Sequence, residues 1–106
     1  HRDAARRLAE HGAPPVVVAR HWLAGGSLAE AVPWLLHAAR DAVRVAAYAD
    51  ALHRLEPLLA HAPSHAEALR LRAEALEALG DPAAVAAYRD AAAAADESTA
   101  HDLRAK

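Results

Sequence analysis

The residues best suited to chemistry in this chain are its eight histidines. Zinc needs three or four ligands that converge on one point, and ligands on a helix commonly stand one turn apart. Only His61 and His65 have that spacing, and Pro63 and Ser64 between them interrupt a continuous helix face. We therefore interpret the histidines as surface residues and predict neither a metal site nor a cofactor.

Nucleophilic catalysis has little support among the other polar residues. The chain has no cysteine, and Ser27, Ser64 and Ser98 stand where helices are expected to start. Acidic residues are numerous, but they occupy predicted helix surfaces and caps. The chain also lacks a Gly-rich phosphate loop. We expect that the chain is not an enzyme.

The charge of the chain bears on nucleic acids as partners. Twelve basic residues against fourteen acidic ones give a formal net charge of −2, whereas nucleic-acid-binding domains usually carry a basic face. The pairs Arg6-Arg7 and Arg70/Arg72 are too sparse for such a face. A helix-turn-helix in residues 1–24 is disfavoured, because its second helix has valines where base-reading polar side chains are needed.

Membrane insertion and secretion are not expected either. No window of about 18 apolar residues exists that could cross a bilayer. No secretory leader is recognisable, and the absence of cysteine fits a reducing compartment. We expect a cytoplasmic protein. The missing initiator methionine and the start at His1 favour a piece of a longer chain, or a processed one.

The elements that must position these residues are predicted to be helices throughout. Apolar residues make up 55% of the 106 residues, and with no Phe, Cys or Met they are mainly Ala, Leu and Val. Alanine is the best helix former and lets helices approach closely. The length suits one domain. The predicted fold class is all-α, with about six helices arranged as antiparallel hairpins.

Helix boundaries are indicated by glycines, prolines and capping residues. Residues 1–11 and 16–24 are predicted to form two short helices around a Pro14-Pro15 elbow. Ser27 with Glu30, and Ser64 with Glu67, are predicted capping boxes. Later helices are predicted from residue 27 to about 46, over residues 48–61 and from residue 64 to a stop at Gly80. Further predicted breaks are a kink or restart at Pro33, a bend at Pro57, a helix start at Asp81-Pro82, and an interruption at Asp96–Thr99 that begins one more helix.

The four large aromatic rings are interpreted as packing groups, since buried aromatic side chains dominate packing energy. Tyr88 is expected between two helices. Trp22, beside Gly25-Gly26, is expected to be the most exposed of the four, which also include Trp34 and Tyr48.

The later part of the chain repeats itself with a period of about 34 residues, the period of the helix pairs in tetratricopeptide repeats (TPR). Ala46 and Gly80 stand one such period apart, and so, within one position, do Leu55 and Tyr88. The sequence resembles this family at Leu69, Ala73, Leu76, Ala84, Tyr88 and Ala91, at Ala51, Leu55, Leu58 and Pro63 one unit earlier, and at Ala31, Leu35 and Ala38 in a partial unit.

The resemblance implies a right-handed α-solenoid in a single domain spanning residues 1–106. Residues 1–26 would form irregular N-terminal helices, 27–63 and 64–97 two repeat units, and 98–106 the start of a truncated element. The match departs from the family at Arg72, where a leucine is usual.

The resemblance also implies a concave binding face, lined by the first helix of each hairpin. The residues that match its outward positions are Arg20, Arg40, Arg44, Arg70, Glu74 and Glu77. Because guanidinium groups pair bidentately with carboxylates, the arginines favour an acidic peptide or partner.

Residues 20–63 resemble a segment that follows the ATPase module of large bacterial signal-transduction ATPases and transcriptional activators. This second resemblance implies a sensor or scaffold segment of a larger regulatory protein, with a protein, a peptide or another domain of the parent chain as partner. An alternative is a self-association element in which the alanine-rich stretch 91–95 packs against a second copy. An enzyme is the remote alternative.

Overall fold

A computed structural model describes residues 2–105, with side chains described through residue 97. Within this range the chain forms six helices and no strand. They are α1 (Arg2–Glu10), α2 (Pro15–Ala24), α3 (Leu28–Arg44), α4 (Tyr48–His61), α5 (Ala66–Ala78) and α6 (Ala84–Ala105). The predicted all-α fold is confirmed, and the predicted bounds of α4 agree with the structure.

Four helices end in the same kind of turn. After α5, the amide of Gly80 donates to the carbonyl of Glu77 at 3.0 Å, and the amide of Asp81 donates to the carbonyl of Leu76 at 2.9 Å. This pair of bonds is a Schellman motif, which needs one residue in the left-handed conformation. The described residues with such a positive φ are Gly12 (73°), Gly26 (75°), Ala46 (62°) and Gly80 (72°).

The turn after α3 repeats the turn after α5. The amide of Ala46 donates to the carbonyl of Val43 at 3.0 Å, and that of Ala47 donates to the carbonyl of Ala42 at 2.7 Å. The two positions that the sequence period pairs, Ala46 and Gly80, therefore end their helices in the same way.

The start of α5 differs from the predicted capping box. The N-cap is His65, whose Nδ1 accepts a hydrogen bond from the amide of Ala68 at 3.2 Å. Ser64 lies outside the helix. Glu67 points across to Arg40 on α3. The predicted capping box is wrong because an imidazole supplies the acceptor, and an interhelical ion pair takes the carboxylate.

Two other helix starts also differ in detail. Ser27 is the N-cap of α3, but its side chain makes no capping bond. The carboxylate of Asp81 accepts from the amide of Ala83 at 2.9 Å. Pro82 and Ala83 thus form a turn, and α6 begins at Ala84 instead of directly after Asp81.

Two predicted interruptions, a helix restart at Pro33 and a break at residues 96–99, do not occur. The helix α3 continues through Pro33, and α6 continues through residues 96–99 as far as Ala105. The segment assigned to a new element, 98–106, is thus a continuation of α6 over its described residues. Pro33 removes one backbone bond, to the carbonyl of Ala29, and because Ala29 is exposed the open carbonyl can reach solvent. The Asp, Ser and Thr residues near position 97 cost a helix only tenths of a kcal/mol each.

Each helix packs against the next one along the chain. The most extensive contacts join α3 to α4 and α5 to α6, and α5 packs against both α4 and α3. The molecule measures 39 × 38 × 20 Å along its principal axes. Two hairpins, α3–α4 and α5–α6, therefore lie side by side, and α5 covers the first of them.

The main core lies where α1 to α5 meet. It consists of buried alanine, valine, leucine and tryptophan side chains, of which Leu55, Leu58 and Val18 are the largest that are fully buried. Trp22 is only 6% exposed, and the guanidinium of Arg6 lies 5.9 Å from its ring centroid. The expectation that Trp22 is the most exposed aromatic residue is therefore wrong.

A smaller second core joins α5 to α6. Its buried members are Ala73, Leu76, Ala84 and Ala87, and Leu52 of α4 packs against them. Side chains this small let the two helix backbones approach closely.

Candidate functional site

A chain of ion pairs runs along α3 and α5 and includes three of the predicted binding residues. Nε of Arg40 donates to Oε1 of Glu67 at 2.7 Å, and a second guanidinium nitrogen donates to Oε2. On α5, Nη1 of Arg70 donates to Glu74 at 2.5 Å, while Nη2 lies 3.9 Å from Glu67. We call these four residues the α3–α5 ion-pair chain. They neutralise one another, so two predicted ligand-binding arginines already hold carboxylates.

The ion-pair chain alters the titration of its members. The pKa of Glu67 lies below its ordinary value, chiefly because Arg40 donates hydrogen bonds to the charged carboxylate, while partial burial opposes the shift. The same hydrogen bond raises the pKa of Arg40. The two residues are 27 positions apart, so local spacing carried no signal for this pair.

Two predicted residues lie beside the ion-pair chain and have other partners. Arg44 contacts Asp41 on its own helix at 3.3 Å, and its side chain is 73% exposed. The hydroxyl of Tyr88 on α6 donates to the carboxylate of Glu77 on α5. This bond, together with the negative charge of Glu77, raises the pKa of Tyr88. The hydroxyl of Tyr88 therefore bonds to the neighbouring helix, but the side chain is 38% exposed and belongs to neither core, so the expected packing of its ring between two helices is not observed.

Arg20 is placed away from the other predicted residues. It lies on α2 and, with residues of α4, lines a separate cavity of about 250 Å³. The structure thus brings Arg40, Arg70 and Glu74 together through Glu67, and it leaves Arg20 in a different site. Sequence reasoning did not single out His53 and Arg54, which line that cavity with Arg20.

An open groove lies on the surface along one side of the contact between α5 and α6. Its volume is about 400 Å³, and most of its lining surface is apolar. The α5 side contributes charged residues and the α6 side contributes mainly small ones, the full lining being Ala66, Glu67, Arg70, Glu74, Tyr88, Ala91, Ala92 and Ala95. We call this surface the α5–α6 groove.

A further cavity of about 510 Å³ lies in the seam between α4 and α5. Arg72 lines it among the leucines of both helices, Leu52, Leu55, Leu59 and Leu76. Arg72, where a leucine would fit the family resemblance, is half-buried in this seam.

The described residues offer no constellation for metal chemistry. Nowhere in that part of the chain do three His, Cys, Asp or Glu side chains group closely enough to hold an ion. His61 ends α4, and His65 caps α5. None of the helices, over the residues described, is both long and apolar enough to cross a membrane.

In comparisons with known proteins, no family model, curated protein or solved structure matches the chain.

Proposed function

We propose that the chain is a non-catalytic protein-interaction segment of TPR type, acting in the cytoplasm within a larger bacterial regulatory protein. One observation carries the proposal. The helix α5 packs on the hairpin α3–α4, whereas the corresponding side of the hairpin α5–α6 carries an open groove. A hairpin of this kind buries its apolar face only when another element lies on it.

Leu55 and Tyr88, at equivalent positions of the two hairpins, differ in burial. Leu55 and Leu58 of α4 are 1% and 0% exposed, in the core to which α5 contributes Ala68 and Leu71. One repeat period later, Tyr88 is 38% exposed, whereas Ala91 is buried at 8%. Tyr88 lines the α5–α6 groove, and we propose that a partner helix lies there as α5 lies on the first hairpin.

The charges of the groove favour a helix with basic residues along its edge. In the first hairpin, Arg40 of α3 donates to the acidic Glu67 of α5. The position one repeat period after Arg40 is Glu74, so the second hairpin presents the opposite charge there. Glu67 and Glu74 line the groove, and Arg70 is already paired with Glu74. The two carboxylates against the one guanidinium give the groove lining a formal charge of −1, which disfavours the acidic peptide expected from the sequence. We therefore propose a partner helix with small residues on one face and Lys or Arg beside them.

The test uses two helical peptides that share an Ala/Leu face and differ only at the flanking positions, with lysines in one and glutamates in the other. We expect the lysine peptide to bind by isothermal titration calorimetry. Ala92→Arg, which fills the groove from an exposed position, should weaken binding by about tenfold or more.

The matched control is Ala86→Arg, at an exposed position on α6 outside the groove, which should leave binding unchanged. Preferential binding of the glutamate peptide would instead support the acidic partner that the sequence predicts. Equal effects of the two arginine substitutions would remove the groove from the proposal.

Self-association is the second candidate, and the exposed alanines of α6 favour it. Ala92, Ala93 and Ala95 are exposed on one stretch of the helix, where a second copy could approach closely. Sedimentation velocity over a range of concentrations tests this. A dimer that Ala92→Arg dissociates would support it, and a monomer at all concentrations would exclude it.

A further inference from the structure

The cavity between α2 and α4 is separate from the α5–α6 groove and from the α3–α5 ion-pair chain. Both helices pack on α3, which supplies part of the floor through Leu35. We call it the α2–α4 cavity. Its lining consists of Val16, Ala19, Arg20, Leu23, Leu35, His53, Arg54, Glu56 and Pro57.

The two arginines of this cavity differ from those of α3 and α5. Arg40 and Arg70 each hold a carboxylate. Across residues 2–97, by contrast, Arg20 and Arg54 form no hydrogen bond or ion pair with another side chain. They approach the cavity from different helices, and Arg54 is half-buried.

The other polar residues at the rim do not cancel this charge. His53 is exposed beside Arg54, and Glu56 is also exposed and makes no ion pair within the described part of the chain. Arg20 and Arg54 contribute +2 and Glu56 contributes −1, so these three residues give the rim a formal charge of +1. An anion that reaches the rim therefore meets two unpaired forked donors.

The floor of the cavity is apolar. Ala19 and Leu35 are 1% and 3% exposed, and Val16, Leu23 and Pro57 complete the wall. Small-molecule sites typically combine such an apolar lining with a few placed polar groups. The volume of about 250 Å³ limits the apolar part of a ligand to a short branched or ring-sized group.

We infer that the α2–α4 cavity binds a small-molecule carboxylate with a short apolar tail, whose carboxylate is held by Arg20 and Arg54 and whose tail lies on Leu35. Carboxylate oxygens accept two parallel bonds from a guanidinium group. The apolar floor favours a ligand whose opposite end is hydrocarbon over a fully charged anion such as free phosphate.

The test compares four probes by isothermal titration calorimetry and by amide chemical-shift mapping. Isovalerate and benzoate carry both required parts, isovaleramide lacks the charge, and acetate lacks the tail. We expect the first two to bind and to shift the amides of residues 16–23 and 53–57. Isovaleramide and acetate should each bind at least roughly tenfold more weakly.

Three variants assign the binding to the cavity. Arg20→Gln and Arg54→Gln should each weaken isovalerate binding by about tenfold or more, which corresponds to roughly 1.4 kcal/mol. Arg89→Gln is the matched control, because Arg89 is an exposed arginine on α6 that lines neither this cavity nor the neighbouring one. It should leave binding unchanged. Arg20 is itself exposed, so its substitution leaves the core intact.

Three results would overturn the inference. They are the absence of isovalerate and benzoate binding at millimolar concentration, equal binding of isovalerate and its amide, and binding that is indifferent to both Arg20→Gln and Arg54→Gln. Because the α5–α6 groove is not involved, Ala92→Arg should have no effect on isovalerate. Failure here is thus distinguishable from failure of the partner-helix proposal.

Discussion

Ala46 is the one described residue other than glycine that adopts a left-handed backbone conformation, with φ of 62°. An L-residue with a Cβ atom is strained by about 1–2 kcal/mol there, whereas glycine is not. Glycine loses more backbone entropy on folding than alanine does, which costs about 0.4–1 kcal/mol of folding free energy. We therefore expect Ala46→Gly to raise the free energy of unfolding by about 0.5–1 kcal/mol, as measured by urea denaturation.

The control for Ala46→Gly is the reverse substitution at the equivalent turn, Gly80→Ala. A Cβ atom at Gly80 would meet no atom within 4 Å, so its cost there is conformational alone. We expect the free energy of unfolding to fall by about 0.5–1 kcal/mol. A stabilising Gly80→Ala, or a destabilising Ala46→Gly, would contradict this account of the turns.

Tyr88 offers a second measurement at the level of one residue. Its pKa is raised, chiefly because its hydroxyl donates to the carboxylate of Glu77. Glu77→Gln should therefore lower the pKa of the phenol toward its ordinary value. Tyrosinate absorbance reports this in a Tyr48→Phe background, where Tyr88 is the only tyrosine.

The matched control for the titration of Tyr88 is Glu56→Gln, which removes an exposed carboxylate on α4. It should leave the titration midpoint unchanged. A midpoint that does not fall in Glu77→Gln would show that the hydrogen bond does not persist in solution.

At the scale of single elements, α5 depends on a cap that sequence patterns did not predict. The imidazole of His65 accepts from the amide of Ala68, and this satisfies one of the open donors in the first helical turn. Removing a capping side chain typically costs about 1 kcal/mol. We expect His65→Ala to lower the free energy of unfolding by that amount in urea denaturation.

Ser64→Ala is the control for the cap, since Ser64 lies outside α5 and the capping bond comes from His65 instead. Its effect on the free energy of unfolding should be close to zero. A larger loss from Ser64→Ala than from His65→Ala would restore the predicted capping box.

The helix ends and caps also show how much of the fold can be predicted from the sequence. Glycine positions, the elbow at Pro14-Pro15 and helix-favouring composition predicted most helix ends, because those signals act on the local backbone. Caps such as His65 were not predicted, because several polar residues compete for one position and tertiary contacts decide among them. The same holds for the candidate site, where the partner of Arg40 comes from a different helix 27 residues away.

At the scale of the whole molecule, the pair Arg40–Glu67 joins the two hairpins. The pKa of Glu67 is lower in the folded protein than in the unfolded chain, chiefly through its hydrogen bonds with Arg40. The stabilisation is therefore complete above the unfolded pKa of the glutamate, and it is lost as the pH falls through the lower, folded pKa. Because both side chains are partly exposed, the effect is expected to be modest.

Glu67→Gln should remove this acid dependence. Urea midpoints measured from neutral pH down to below the ordinary titration range of glutamate should fall less steeply in the variant than in the unmodified protein. Glu56→Gln again serves as the control, since Glu56 makes no ion pair within residues 2–97. Identical pH profiles for Glu67→Gln and the unmodified chain would contradict the assigned pair.

The small side chains between α5 and α6 have a further consequence for local opening. The buried residues of that second core are three alanines and one leucine, while the larger core includes Leu55, Leu58 and Val18. Detaching α6 exposes less apolar surface than detaching α4, so it requires less free energy. Hydrogen–deuterium exchange should therefore be faster at the amides of residues 87–94 than at those of residues 51–58. The helix α6 would then detach well before the rest of the protein unfolds, and each detachment would uncover Leu76.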